Sequence, residues 1–308
     1  MGILAGLLLL SCGGVPKVPS FTSSKYVCVA ETKTTLSETE VRSFWPEDWF
    51  DLLLNNFDRY SKIPDKKPQL CTKLPLKWPD HSSCTVKEAG TSRLERVAVS
   101  ENELVFSQLT ERKRLVWAIT HRFENGEALG TIAISEFTQS GVVVHAIGAL
   151  RAPGQRVRMQ LKQSGEGMVL LVEGQLCAED SESACPRFVR AMLLRGKRFI
   201  PAPLRNKIGD CLSPAYFPLQ RTLALKMDGG GIRRYAMSSS VKVNELGIVV
   251  HEQLTVHDSD PSQPESVPRL RRQAEIDRQI RVVRGRFIPE SKSLWERVEA
   301  ETGTGKVE

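Results

Sequence analysis

The sequence contains no Gly-x-Ser-x-Gly, no His-Glu-x-x-His and no pair of cysteines at Cys-x-x-Cys spacing. The first absence removes the nucleophile elbow of α/β-hydrolases, and the second removes the zinc-binding pair of helical metalloproteases. The third removes the spacing shared by thiolate zinc sites and dithiol redox sites. Histidine is scarce, and the five present (His81, His121, His145, His251 and His257) stand at no ligand spacing. Beyond Cys12 there is no apolar run long enough to span a bilayer as a helix. No charged residue precedes Cys12, so the whole net charge of +7 lies after it. That excess is too diffuse to argue for nucleic acid. It favours anionic lipid headgroups or acidic partners.

What is present begins with an uncharged apolar run from Met1 to Ser11, which has the length of a signal-peptide core. Its end, Leu9-Leu10-Ser11-Cys12, resembles the lipobox of bacterial lipoproteins. The resemblance covers the signal alone, and in that family Lys or Arg precedes the apolar core. It implies that residues 1–11 are removed, that Cys12 is acylated as the membrane anchor, and that the remainder lies outside the cytoplasm. Gly13, where an aspartate would retain such a protein at the inner membrane, implies the outer membrane. There are seven cysteines. Acylating Cys12 leaves an even six, which an oxidising periplasm allows to form up to three bridges. Cys177 with Cys185 is the most local candidate pair, and Cys71 with Cys84 is next.

Four segments follow the signal. Residues 12–30 are rich in Gly, Pro and Ser and read as a lipidated flexible tether. Residues 31–84 read as a helical segment and a cysteine loop: Ser37 and Glu40 have capping-box spacing, Pro46 suits a first turn, and Trp49, Leu53, Phe57 and Tyr60 recur on one helical face. Residues 85–205 and 206–308 form two β units, where the periodicity drops to two and turn residues separate short runs such as Leu115–Thr120, Gly130–Ser135 and Gly167–Val172. Asn125-Gly126 signals a hairpin, and Ser291–Glu301 reads as a closing helix with Leu294, Trp295 and Val298 inward.

The second β unit repeats the first. Leu193-Leu194-Arg195-Gly196-Lys197-Arg198-Phe199-Ile200-Pro201 recurs, one residue shorter, as Val282-Val283-Arg284-Gly285-Arg286-Phe287-Ile288-Pro289. Upstream, Gly167-Met168-Val169-Leu170 matches Gly247-Ile248-Val249-Val250. Two matches in one order argue for a duplicated β unit. An acidic loop is expected after each matched strand, at Glu179–Glu182 and His257–Asp260.

Among patterns that carry chemistry, Met227-Asp228-Gly229-Gly230-Gly231-Ile232-Arg233 resembles the oxyanion loop of patatin-like lipases. Between two strands, Asp-Gly is also an ordinary hairpin turn, and the nucleophile elbow that such chemistry needs is missing. His145 and His251 occupy matching strand positions, where a polar residue leaving the core is the plain explanation. The acidic loops lack calcium-site spacing and read as solvated turns. Arg269, Arg271, Arg272 and Arg278 head the most basic stretch and are the candidate contacts for a partner. Trp45, Trp49, Phe50 and Phe57 read as a buried helical face rather than a docking patch.

The fold expected is mainly β: a duplicated antiparallel unit, of sandwich or meander type, between a short N-terminal helical segment and a short C-terminal helix. No catalytic residue, metal or cofactor is assigned. The function expected is a noncatalytic one in the bacterial envelope, either structural or in binding an envelope protein. A carrier for a lipid or apolar molecule is the alternative, and a hydrolase with an unfamiliar site a weaker one.

Overall fold

A computed structural model describes residues 26–31, 44–77, 94–139, 141–177, 185–228, 230–260 and 267–304. Among the described residues the fold is mainly β, with two sheets and two short α-helices.

The first strand is β1 (Cys28–Glu31) and the first helix α1 (Pro46–Leu53). There follow β2 (Leu94–Arg96), β3 (Leu104–Gln108), β4 (Lys113–Phe123), β5 (Glu127–Thr138), β6 (Gly141–Pro153), β7 (Gln155–Ser164), β8 (Gly167–Gln175), β9 (Arg187–Arg195) and β10 (Arg198–Pro201). The chain then forms β11 (Leu204–Arg205), β12 (Cys211–Ser213), β13 (Tyr216–Pro218), β14 (Gln220–Lys226), β15 (Ile232–Asn244), β16 (Gly247–Ser259), β17 (Arg269–Val283), β18 (Arg286–Pro289) and α2 (Leu294–Thr302). The first sheet runs β2-β4-β5-β6-β10-β9-β8-β7, with β1 beside β6, β3 beside β4 and β13 beside β9. The second runs β12-β11-β18-β17-β16-β15-β14. The chain crosses between sheets more than once near Arg205: β11 and β12 join the second sheet, and β13 returns to β9.

Alternation of side chains decides what each sheet buries. The first sheet curls so that Trp117, Ile132 and Leu150 on β4 to β6 meet Leu170, Met192 and Phe199 on β8 to β10. Ser107 on β3 donates to the Met159 carbonyl on β7 at 2.8 Å, which ties the two ends of the curl. The opposite face of β8 and β9 presents Val169, Leu171, Val189 and Leu193 to Ile248, Ile280, Val282 and Phe287 of the second sheet. Each large apolar side chain buried there contributes about 1.5–3 kcal/mol. The far half of the same second-sheet face carries Tyr235, Met237, Leu254 and Val256, and α2 covers it with Leu294, Trp295 and Val298.

Two expectations about the N-terminal segment need correction. The N-terminal helix stops at Leu53 rather than continuing through Tyr60, because Leu54 turns extended and bridges Leu70. Trp49 and Phe50 are buried as the pattern required, whereas Tyr60 is exposed. The bridge brings Cys71 beside β1, where it bonds to Cys28 with Cα atoms 6.3 Å apart, so the expected Cys71–Cys84 pair does not form. Cys84 and the Ser37–Glu40 capping box lie outside the described residues. Cys177 and Cys185 do pair, with Cα atoms 5.0 Å apart.

The repeat is real at the level of ladders. Gly167 and Gly247 both open strands, β8 and β16, with φ of 154° and 140°, but the ladders offset them by two residues, since Gly247 faces Arg281 where Val169 faces Leu193; β10 and β18 each take a parallel neighbour, β6 and β11. The apparent one-residue deletion is a shift of glycine within tips of equal length. Arg195 pairs Arg198 around Gly196-Lys197, and Val283 pairs Arg286 around Arg284-Gly285. Leu194 opposite Phe199 is therefore equivalent to Val282 opposite Phe287.

Candidate functional site

Carrying that register back along β9 and β17 makes Arg190 the equivalent of Arg278. Each sits opposite a valine of the preceding strand, Val172 and Val250. Both are buried, at 3% and 6% exposure, and both line one cleft of about 490 Å³ between the sheets.

The two sites are built alike. Arg190 Nε donates to the Arg151 carbonyl at 3.2 Å, and its Nη2 lies 3.6 Å from Glu127. Arg278 Nε donates to the Ser291 carbonyl at 3.0 Å, and its Nη1 lies 3.5 Å from Glu252. Each glutamate gives its other oxygen to a second donor: Glu127 to Arg151 Nε at 2.8 Å, Glu252 to the Leu294 N–H at 2.6 Å. The Arg278–Glu252 pair therefore also fastens the start of α2. Ser293 caps that helix by accepting from the Glu296 N–H, and Glu296 lies 3.7 Å from Arg278. A buried guanidinium needs such compensation, since an isolated charge in the interior is costly.

Arg221 lines the same cleft. It lies 5.5 Å over the Trp295 ring and 3.3 Å from Glu299. Burial pushes its pKa down, against the opposing pull of Glu299, Glu252 and Glu296. Burial likewise pushes Glu252 above the usual carboxylate range, although the Leu294 N–H and Arg278 pull it back. Arg190 lies 4.5 Å over Tyr216, which stacks on Phe188. The buried Oγ of Ser239, on the cleft wall, has no hydrogen-bond partner among the described residues. Guanidinium donors, carboxylate acceptors and apolar walls from Leu204, Phe217 and Met237 thus share one cavity. That combination holds a polar group by hydrogen bonds while burying the apolar part of the same ligand.

The four arginines singled out in the sequence do not form one patch. Arg278 is in the cleft; Arg271 bonds Asp258 at 2.7 Å, Arg272 bonds Glu301 at 2.8 Å, and Arg269 is exposed. Strand alternation divides them, and a bulge that leaves Arg271 outside the ladder shifts the phase again. The expected second acidic loop is instead strand through Ser259, with Asp258 held far below the usual carboxylate range by Arg233 and Arg271. Lys226 pairs with Ile232 and the Met227 N–H donates to the Gly231 carbonyl, closing the β14–β15 hairpin, while Gly229 lies outside the described residues. His145 bonds Glu136 at 2.6 Å in the first sheet and His251 bonds Asp277 at 2.8 Å in the second, each with a strand neighbour. Among the described residues no group of three or more His, Cys, Asp or Glu is placed to hold a metal. Cys12 and the Glu179–Glu182 loop lie outside the described residues.

Arg190, Arg221, Glu127 and Glu252 escaped the sequence reading. One signal was available: Arg190 shares the inward phase of Met192 and Leu194, and Arg278 that of Ile276 and Ile280. A charge in the inward phase of a strand marks a compensated buried site.

Comparison with known proteins finds no protein family that matches the chain. It finds no similar curated protein and no similar solved structure either.

Proposed function

We propose that the chain is an exported lipoprotein of the bacterial envelope, anchored through Cys12 and directed to the outer membrane. Its role is noncatalytic, in binding an envelope partner, and the cleft between the sheets is where that partner's polar group is held. Cysteine parity carries the first part. All five cysteines among the described residues, Cys28, Cys71, Cys177, Cys185 and Cys211, are in disulfides. The Cys28–Cys71 and Cys177–Cys185 bridges account for four of them. Cys211 therefore needs one further cysteine, and the chain offers Cys12 and Cys84. Acylation of Cys12 assigns Cys84 to Cys211 and leaves no free thiol. Bridges of this density fit an oxidising compartment.

The test is fractionation of envelopes from cells that make the wild type or Cys12→Ala. The wild type is expected in the membrane fraction with the added mass of acyl chains, and the variant in the soluble periplasmic fraction. If the variant kept the membrane fractionation and the apparent mass of the wild type, the anchor would be wrong.

A carrier of an amphipathic molecule is the second reading, favoured by the size and mixed lining of the cleft. Native mass spectrometry of the purified chain distinguishes the two: a co-purifying small molecule displaced by Arg278→Met supports the carrier, and a bare chain supports the partner.

A further inference from the structure

Four hairpin tips gather at one end of the molecule. The Gly285 tip of β17–β18 lies against Arg195 at the tip of β9–β10, so closely that a Cβ on Gly285 would sit 2.8 Å from Arg195 Nη1. Glu166, at the tip of β7–β8, accepts the Arg284 N–H at 2.6 Å, and the neighbouring Gly165 N–H reaches the Glu245 carbonyl of the β15–β16 tip. Duplication of one motif has therefore put cations at both of two adjacent tips: Arg195, Lys197 and Arg198 from the first copy, Arg284 and Arg286 from the second. Arg195, Arg198, Arg284 and Arg286 make no ion pair among the described residues. Glu166 and Glu245 are the carboxylates at these tips.

Exposed aliphatic side chains lie among the cations. Leu246, on the β15–β16 tip, is 50% exposed, and Ile208 is 85% exposed beside Lys207 in a loop whose Gly209 lies against Arg286. The chain also enters the fold here. β1 runs antiparallel to β6, with Cys28 opposite Val144, so Val27 lies toward Ile147, where Arg198 of β10 pairs. Val27, Lys197 and Arg198 line one groove.

We propose that this end of the molecule docks on a membrane surface of anionic phospholipid, the cations meeting headgroup phosphates while Leu246 and Ile208 enter the interface. The orientation rests on the anchoring proposed above, because a chain tethered through Cys12 reaches its membrane from the side of Val27. Cations with interspersed aliphatic side chains are what an interfacial surface requires, and their attraction acts within a Debye length of the bilayer.

The test is co-sedimentation of full-length Cys12→Ser, which carries no acyl chain, with phosphatidylcholine vesicles that contain or lack phosphatidylglycerol. Binding is expected only where phosphatidylglycerol is present, and salt weakens it. Arg195→Gln with Arg286→Gln is expected to weaken it about fivefold per cation removed. Arg234→Gln, at the opposite end of β15, leaves it unchanged, and thermal melts confirm that each variant folds. Absent binding, equal binding to both vesicle types, or an unaffected double variant would overturn the proposal. So would retention on heparin without vesicle binding, which would assign the surface to a soluble polyanion. Failure here leaves the anchor standing, and failure of the Cys12→Ala fractionation leaves this vesicle assay valid.

Discussion

At the scale of single residues, the cleft turns on charges that the fold must compensate. Arg278→Ala leaves Glu252 buried without its cation, and by the usual cost of breaking such a pair the chain should lose about 3 kcal/mol in urea unfolding. Two carboxylates should also give opposite pH responses. Burial raises Glu252 in the folded chain above its ordinary value of 4.5, so the folded state keeps that proton to higher pH than the unfolded state does. Its contribution is full below the ordinary value and is lost as pH rises through the folded one. Stability of wild type relative to Glu252→Gln should therefore fall from pH 4.5 upward, read as a shift in urea midpoints; a constant difference would contradict this. Asp258 is lowered by Arg233 and Arg271, so its contribution is present above the ordinary 3.8 and is lost as pH falls. Asp258→Asn should be less stable than wild type at neutral pH, with the gap narrowing in acid.

At the scale of elements, α2 is held by its first turn. Ser293→Ala removes the acceptor for the Glu296 N–H and should cost about 1 kcal/mol, measured by thermal or urea unfolding. Gly247 is held more tightly: its φ is 140°, and a Cβ there would lie too close to the Ile280 carbonyl. Elements with strong local signals were legible in the sequence. α2 carries Leu294, Trp295 and Val298 at helical spacing, and period-two runs located most long strands. Element ends were not legible, because pairing partners far along the chain set them. Leu54 leaves the helix to bridge Leu70, and β16 continues through His257 because Arg233 and Arg271 hold Asp258. The repeat was legible too, but its register was not. Aligning on Arg-Gly hid the match of Arg190 with Arg278, since only the ladder shows that a glycine moved within a tip.

At the scale of the whole molecule, one apolar cluster spans both sheets, so the duplicated units should unfold together. Phe287, fully buried in it, should cost about 3–5 kcal/mol as Phe287→Ala and leave a single transition for the tryptophans of the first sheet and of α2 alike. The fold class could be read from periodicity and duplication, whereas the cleft could not, because it exists only where strands of both sheets and α2 converge. The anchor belongs to this scale as well, since it depends on how all seven cysteines are used. Peptide mapping under nonreducing conditions, on protein taken from bacterial envelopes, tests it most directly. The expected result is Cys28–Cys71, Cys177–Cys185 and Cys84–Cys211, with Cys12 as an acylated N-terminal residue. Cys12 bonded to Cys211, with Cys84 as the free thiol, would contradict it.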